Sequence, residues 1–336
     1  MAKVLITGAS GFIGSFLVRE ALEKGHEVWA GVRSTSSRAN LQDPRIRFID
    51  LQYNNPDALT AQLKTFAAEH GRWDFVVHNA GLTKTTNKEL FYQINAENTH
   101  RLIEALAAAD CRPDKFLLMS SLSSFGMGDE KTFRPIALSD PQQPNTVYGM
   151  SKLKAENYLR RQQHFPYVIF RPTGVYGPGE KDYFMEIQSI STGFDFAAGF
   201  TPQRITFIYV KDLARAVFKA LEKQDILNRE YFIADGDVYT DKEFALMIQD
   251  ILGKKRVLHA RIPMGLVHLA CICSEWIGKI MKKSMTLNSD KYIILKQRNW
   301  ICETAPLQEE LDFHPVYNLR KGLEESIAWY KEKGWL

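Results

Sequence analysis

The sequence predicts an α/β fold, a doubly wound parallel sheet followed by a smaller C-terminal mixed α/β domain. Three observations predict it. Short apolar runs alternate with helix-length segments through the first half of the chain, the pattern of βα units in a parallel sheet. A glycine-rich turn joins the first apolar run to the first helical segment. The alternation then breaks at Gly174, Gly177, Pro178 and Gly179, after which helices dominate.

Taken in order, Lys3–Thr7 is a short apolar strand and 12–24 has helical periodicity. Strands are expected at 27–32 and Arg47–Ile49, a helix at 59–69, and a strand at Phe75–His78. Residues 88–109, rich in Ala, Leu, Glu and Asn, read as one long helix. A strand at 116–120, a helix at 147–163 and a strand at 168–171 complete the alternation. Beyond the break, helices are expected at 211–222, 241–252, 263–281 and 319–333. There is no internal repeat and no low-complexity segment. The simplest organisation is a second part packed beside the sheet, with its segments interleaved with the first.

A chain of 336 residues, 45% hydrophobic and 24% charged, can bury a large core. Its net charge of +4 is small, and Lys and Arg are spread along it, so nucleic acid is not an expected partner. Cys111, Cys271, Cys273 and Cys302 form no C-x-x-C pair and complete no zinc spacing. No metal site is expected, and the thiols read as small buried hydrophobes in a reducing compartment. No secretory signal precedes the first strand, so the expected location is cytoplasmic. The most apolar stretch, 262–281, contains His268, Glu275 and Lys279, which makes it a poor membrane span. A buried or pocket-lining helix is preferred there over membrane-surface contact.

Thr7-Gly8-Ala9-Ser10-Gly11-Phe12-Ile13-Gly14 follows a strand and opens a helix. A glycine at 8 suits the tight turn. One at 11 lets the backbone approach a pyrophosphate, and one at 14 allows close helix–sheet packing. The helix N-terminus adds N–H donors and a positive dipole end. The loop therefore predicts dinucleotide binding on a Rossmann-type sheet, with Gly8, Ser10, Gly11, Phe12, Ile13 and Gly14 at the cofactor. The dinucleotide-binding domain is expected to span 1–177 plus about 206–236. Residues 178–205 plus 237–336 form the substrate-binding domain. The spacing is G-x-x-G-x-x-G rather than the commoner G-x-G-x-x-G, which points to the short-chain dehydrogenase/reductase group.

The second strand ends without an acidic residue to bond a ribose, in Ala30-Gly31-Val32-Arg33-Ser34. Arg33 can instead pair with a 2′-phosphate, with Arg38 as a helper, so NADP is favoured over NAD. Asp50-Leu51, after the third strand, suits the adenine edge.

Tyr148-Gly149-Met150-Ser151-Lys152 is a Y-x-x-x-K motif whose i, i+4 spacing puts both side chains on one helix face. A phenol is a poor base at neutral pH, and a nearby ammonium is expected to lower its pKa. Tyr148 can then exchange a proton with an alcohol or carbonyl as hydride moves. Ser121 follows the strand at 116–120, where a doubly wound sheet places its ligands, and can align the substrate oxygen. Ser120, Ser123 and Ser124 compete for that role.

With these motifs in this order, the chain resembles the extended short-chain dehydrogenase/reductase superfamily. That group takes in the NAD-dependent epimerase/dehydratase family, the 3β-hydroxysteroid dehydrogenases and the dihydroflavonol reductases. Further matching pieces are His78-Asn79-Ala80-Gly81, the Asn95/Asn98 helix, Arg171-Pro172, Val175-Tyr176-Gly177-Pro178-Gly179, Tyr209–Ala214 by position, and Leu311-Asp312-Phe313-His314-Pro315. The resemblance implies that Ser121, Tyr148 and Lys152 are catalytic. It implies that Asn79, Ala80 and Gly81 line the cofactor groove, with Arg171-Pro172-Thr173 at the nicotinamide end. Asn98 is implied to be structural or cofactor-adjacent. A homodimer through a four-helix bundle of 88–109 and 147–163 is implied as well.

Departures narrow the reaction. Leu122 and Ser123 stand where 4,6-dehydratases have acidic residues, which argues against dehydration. Ile205 and Thr206 stand where many nucleotide-sugar epimerases have a diphosphate-binding arginine, with Arg204 displaced. Phe194, Phe196, Ala197, Ala198 and Phe200, with 262–281, are candidates for lining a less polar pocket, or are ordinary core. The expected activity is NAD(P)-dependent interconversion of a small-molecule secondary alcohol and its ketone. The alternatives are a nucleotide-sugar epimerase with tightly bound NAD and a non-catalytic cofactor-sensing module.

Overall fold

The first strand, β1 (Lys3–Thr7), is paired on both sides, by β2 (Glu27–Gly31) and by a strand at Phe75–His78. The computed structural model describes residues 1–162, 165–281, 285 and 287–336. Gln163, the expected end of the helix at 147–163, lies outside the described residues, as does the side chain of Lys279. After β2 come β3 (Arg47–Ile49), β4 (Phe75–His78), β5 (Lys115–Met119) and β6 (Tyr167–Pro172). Next are β7 (Gly174–Tyr176), β8 (Phe194–Ala198), β9 (Arg204–Ile205), β10 (Phe207–Tyr209) and β11 (Arg229–Ile233). The main sheet is seven-stranded and parallel throughout, in the order β11-β6-β5-β4-β1-β2-β3. The order reverses between β1 and β4, so the chains leaving these two strands diverge and open a crevice at their carboxyl ends.

Both faces of this sheet are covered, which is why its strands read as unbroken apolar runs. Val4 and Ile6 pack with α1 (Phe12–Glu23) and a helix at Val210–Glu222. Leu5 points the other way, toward α2 (Pro56–His70) and the helices at Asn98–Ala108 and Val147–Arg160. The helix α2 starts earlier than its periodicity implies because Asn55 caps it, accepting from the Ala58 N–H at 3.0 Å, and Pro56 fills the first turn.

The expected single helix at 88–109 is instead three pieces. They are α3 (Glu89–Phe91), a π-helical stretch at Tyr92–Glu97, and α4 (Asn98–Ala108). The wider turn brings Asn95 inward, as described below. Then follow α5 (Val147–Arg160), α6 (Asp182–Ser191) and α7 (Val210–Glu222). The remaining elements are β12 (Tyr239–Thr240), α8 (Asp241–Ile251), β13 (Leu258–Ile262), α9 (Met264–Met281), α10 (Ser289–Lys296), β14 (Asn299–Trp300), α11 (Ala305–Leu311) and α12 (Leu319–Glu332). A separate apolar cluster joins α6, α8, α12, β7 and β10.

One expectation is corrected in this second part, and the one for 262–281 holds in its pocket-lining half, since Glu275 and Gly278 line a cleft. The 194–200 segment lines no interior. Phe194–Ala198 is a strand paired with β13, and Phe196 and Phe200 are 60% and 72% exposed. The helix α9 buries only a narrow stripe at Val267, Cys271 and Gly278 and leaves its other apolar face open. Cys273 lies on that open face, so only Cys111, Cys271 and Cys302 fit the expectation of buried thiols. No helix among the described residues is long and apolar enough to cross a membrane.

Candidate active site

The glycine loop sits at the crevice. Gly8 has φ +66°, a conformation that side chains with a Cβ rarely adopt. A Cβ on Gly14 would lie 2.1 Å from the Gly8 carbonyl oxygen, so α1 packs on the loop only with glycine there. Gly11 caps α1 with no side-chain hydrogen bond, and the first turn carries no acid. The donors of Phe12 and Ile13 and the helix dipole are therefore free to receive a phosphate, and the loop fits a dinucleotide. Ser10, Phe12 and Ile13 are partly exposed beside it.

Arg33 stands exposed just beyond β2, with no partner among the described residues. Arg38 instead stacks on Phe48, 4.1 Å from the ring centre. The Asp50 carboxylate accepts the Ser34 N–H at 2.8 Å, closing the loop that carries Arg33. Leu51 is turned into the core against α2.

A line of hydrogen bonds crosses the crevice floor. Thr7 Oγ1 accepts from the Ala80 N–H at 3.0 Å and lies 2.9 Å from His78 Nδ1. His78 Nε2 lies 2.9 Å from Thr99 Oγ1, which donates to the Asn95 carbonyl at 2.7 Å. Burial holds His78 far below its ordinary pKa, to about 3, so this imidazole is neutral. Asn95 accepts from the Leu82 N–H at 2.6 Å and donates to the Leu82 carbonyl at 3.0 Å. It also donates to Ser151 Oγ on α5 at 2.9 Å. The π-turn thus ties the Asn79-Ala80-Gly81 segment to the helix bearing Tyr148. Sequence reasoning named Asn98 for a role here, but Asn95 makes these contacts. The Asn98 carbonyl oxygen is buried without a partner among the described residues.

Thr146 sets the start of α5, its Oγ1 accepting the Gly149 N–H at 3.0 Å. A Cβ on Gly149 would lie 2.2 Å from the Ser123 carbonyl oxygen, so glycine lets α5 close onto the turn after β5. That approach brings the Tyr148 phenol near enough to Ser121 for its hydroxyl to pull the phenol's pKa down. Ser121 Oγ also accepts from the Ser123 N–H at 3.2 Å. Two of the three competing serines are engaged elsewhere. Ser120 donates to Glu156, and Ser124 accepts from Gln142 at 3.3 Å.

Lys152 is buried, donates to the Met119 carbonyl at 2.8 Å, and lies 5.9 Å from the centre of the Tyr148 ring. Its Nζ would be 3.1 Å from a Cβ on Gly81. Burial pulls Lys152 down to about 8, partly offset by the Glu156 carboxylate. Burial pushes Tyr148 up to about 12, against the pull of the nearby Ser121 hydroxyl. The lowered phenol expected from the neighbouring ammonium is therefore not found. At this separation desolvation outweighs the charge, and Tyr148 is a proton donor at neutral pH.

The Arg171 side chain, expected at the nicotinamide end, turns into the interior. It is fully buried and binds Glu156 at 3.0 and 2.8 Å and Glu230 at 2.5 Å. Pro172 ends β6 beside it, paired with Ile233. Arg204 stacks on Phe133, 4.6 Å from the ring centre. A cleft of about 130 Å³ opens beside Tyr148, lined by Lys84, Thr85, Phe91, Glu275, Ser289 and Lys291 among others. The 194–200 segment, expected to line a pocket, contributes none of the residues that line this cleft.

A family model described as the NAD dependent epimerase/dehydratase family matches residues 4–234. The chain is 25% identical to a ceramide reductase of Caulobacter vibrioides, over 99% of this chain and 96% of the relative. It is 23% identical to a 3-beta-hydroxysteroid dehydrogenase of Mycolicibacterium neoaurum, over 99% and 92%. It is 25% identical to a UDP-glucose 4-epimerase of Vibrio cholerae, over 96% and 94%. The fold matches the crystal structure of UDP-glucuronic acid 4-epimerase from Bacillus cereus in complex with NAD. There the TM-score is 0.77 at 22% identity, over 98% of this chain and 99% of that one. With the match running from β1 through the last strand of the sheet, the chain belongs to the NAD dependent epimerase/dehydratase family, as an enzyme of the extended short-chain dehydrogenase/reductase type.

Proposed function

We propose that this enzyme reduces a ketone to a secondary alcohol, reversibly, with NADP(H) preferred over NAD(H). The observation that carries the reading is the Tyr148 phenol beside Ser121 at the carboxyl edge of β5, with a buried Lys152 5.9 Å from the centre of its ring. A nicotinamide dinucleotide with its pyrophosphate at the glycine loop would supply or accept the hydride. Ser121 holds the substrate oxygen, and Tyr148 Oη gives that oxygen its proton as the carbonyl becomes an alcohol. The phenol's raised pKa keeps that proton in place at neutral pH, which favours reduction. Lys152 places positive charge beside the phenolate that remains. The cleft beside Tyr148 takes the part of the substrate next to the reacting carbon. We assign residues 178–205 and 237–336 to substrate binding, and Arg33 to a 2′-phosphate.

Titration of the purified protein with NADPH and NADH, followed by nicotinamide fluorescence, tests this. Exchangeable NADPH binding that weakens about tenfold in Arg33→Ala, with NADH binding unchanged, is the expected result. NAD that survives purification in stoichiometric amount would instead make the chain an epimerase.

A further inference from the structure

The helix α9 is predominantly apolar but buried along only one side. Val267, Cys271 and Gly278 face the protein at helical spacing. On the opposite face Leu266, Leu269, Ile272, Trp276, Ile280 and Met281 are each more than half exposed. The strand β13 runs into α9 through Pro263, and its partner β8 extends the surface with Phe194 and Phe196, stacked at 6.0 Å. Gly199, at the end of β8, sits against Met264, so ribbon and helix adjoin. A contiguous apolar area of this kind marks an interaction site. No helix among the described residues is long and apolar enough to cross a membrane.

Charge indicates what covers it. Lys254, Lys255 and Arg256 stand exposed in the turn leading into β13, and none has an ion pair among the described residues. Large aliphatic side chains, a tryptophan and a flanking basic cluster match the headgroup region of an anionic bilayer, where apolar groups enter the acyl boundary and cations meet phosphates.

We propose that α9 and the β8–β13 ribbon dock this enzyme on the surface of an anionic membrane. The buried side of α9 points the same way, since Glu275 and Gly278 line the cleft that holds Tyr148. A membrane amphiphile is thereby the substrate class, its polar end in the cleft and its chain along α9. This last step rests on the ketone–alcohol reading above, whereas docking itself does not.

Flotation of the full-length protein with phosphatidylcholine vesicles, with and without phosphatidylglycerol, tests the proposal. Flotation with the phosphatidylglycerol vesicles is expected. The Trp276→Asp/Ile280→Asp protein should bind at least about tenfold more weakly. Lys254→Glu/Lys255→Glu should remove the preference for anionic lipid. Both variants should still bind the nicotinamide cofactor, which shows that they fold. Absence of flotation, or flotation indifferent to Trp276→Asp/Ile280→Asp, overturns the proposal. So does sedimentation showing that the same substitutions split a dimer that never floats, since a second copy then covers the face. Because flotation needs no turnover, a failed ketone screen and a failed docking test remain distinguishable.

Discussion

Replacing Lys152 with Met removes a buried ammonium and keeps most of the side-chain volume. In the folded protein burial pulls Lys152 from its ordinary 10.5 to about 8. The unfolded chain therefore holds a proton here that the folded chain releases between those values. At about 1.4 kcal/mol per pH unit, carrying this charge into the fold costs roughly 3 kcal/mol at pH 7. The opposing contribution is the hydrogen bond to the Met119 carbonyl at 2.8 Å, with a net value of about 1 kcal/mol. Lys152→Met should thus be more stable than the parent by about 2 kcal/mol at neutral pH. A base with a depressed pKa imposes its full penalty below the folded value and is relieved as pH rises toward the unfolded one. The advantage of the variant should therefore shrink from pH 8 to 10.5 and be gone above that. Urea denaturation of both cofactor-free proteins, followed by circular dichroism at pH 7 and pH 10, measures this. A variant less stable at pH 7, or a difference that does not change with pH, would refute the reasoning. The same substitution should abolish turnover, which identifies the charge as retained for chemistry at a cost in stability.

Other perturbations have equally definite outcomes. Glu156→Ala strips Arg171 of two of its three carboxylate contacts in a fully buried setting and should lower stability by about 3–5 kcal/mol, read from denaturant midpoints. A loss under about 1 kcal/mol would mean that water reaches the network. Asn95→Ala cuts both bonds to Leu82 and the one to Ser151. It should cost about 2 kcal/mol and weaken cofactor binding, because the Ala80-Gly81 segment loses its anchor to α5. Unchanged cofactor affinity would make Asn95 a purely structural residue. Ketone reduction should hold level to about pH 8 and fall above it as Lys152 loses its charge, while Tyr148, at about 12, keeps its proton. Alcohol oxidation needs the phenolate and should climb with pH over that range; parallel profiles for the two directions would contradict this assignment.

The sheet and its binding edge were legible because their signals are local. Six short apolar runs and a glycine loop are read one segment at a time, and the loop's steric demand at Gly14 leaves little choice of residue. The Tyr148–Lys152 spacing is likewise a property of a single helix. What escaped was non-local. Nothing in the composition of 88–109 distinguishes a π-turn from an α-turn, so the inward rotation of Asn95 onto Leu82 was not visible. The two-residue strands β9, β12 and β14 exist only through one another's partners. Apolar character alone could not separate a buried 194–200 segment and a buried α9 from the exposed ribbon and helix that they form. The direction of the Tyr148 shift was misjudged for the same reason. Motif spacing reports the nearby charge, whereas desolvation depends on everything packed around the ring.

The central claim is that Tyr148 serves a direct hydride transfer between nicotinamide and a carbinol carbon. Its most direct test is to supply NADPH deuterated at C4 with the best ketone from a screen and to locate the label by mass spectrometry. The account predicts one deuterium on the carbinol carbon of the released alcohol, and no labelled product from Tyr148→Phe despite normal NADPH binding. Product free of deuterium, or undiminished transfer by Tyr148→Phe, would contradict it.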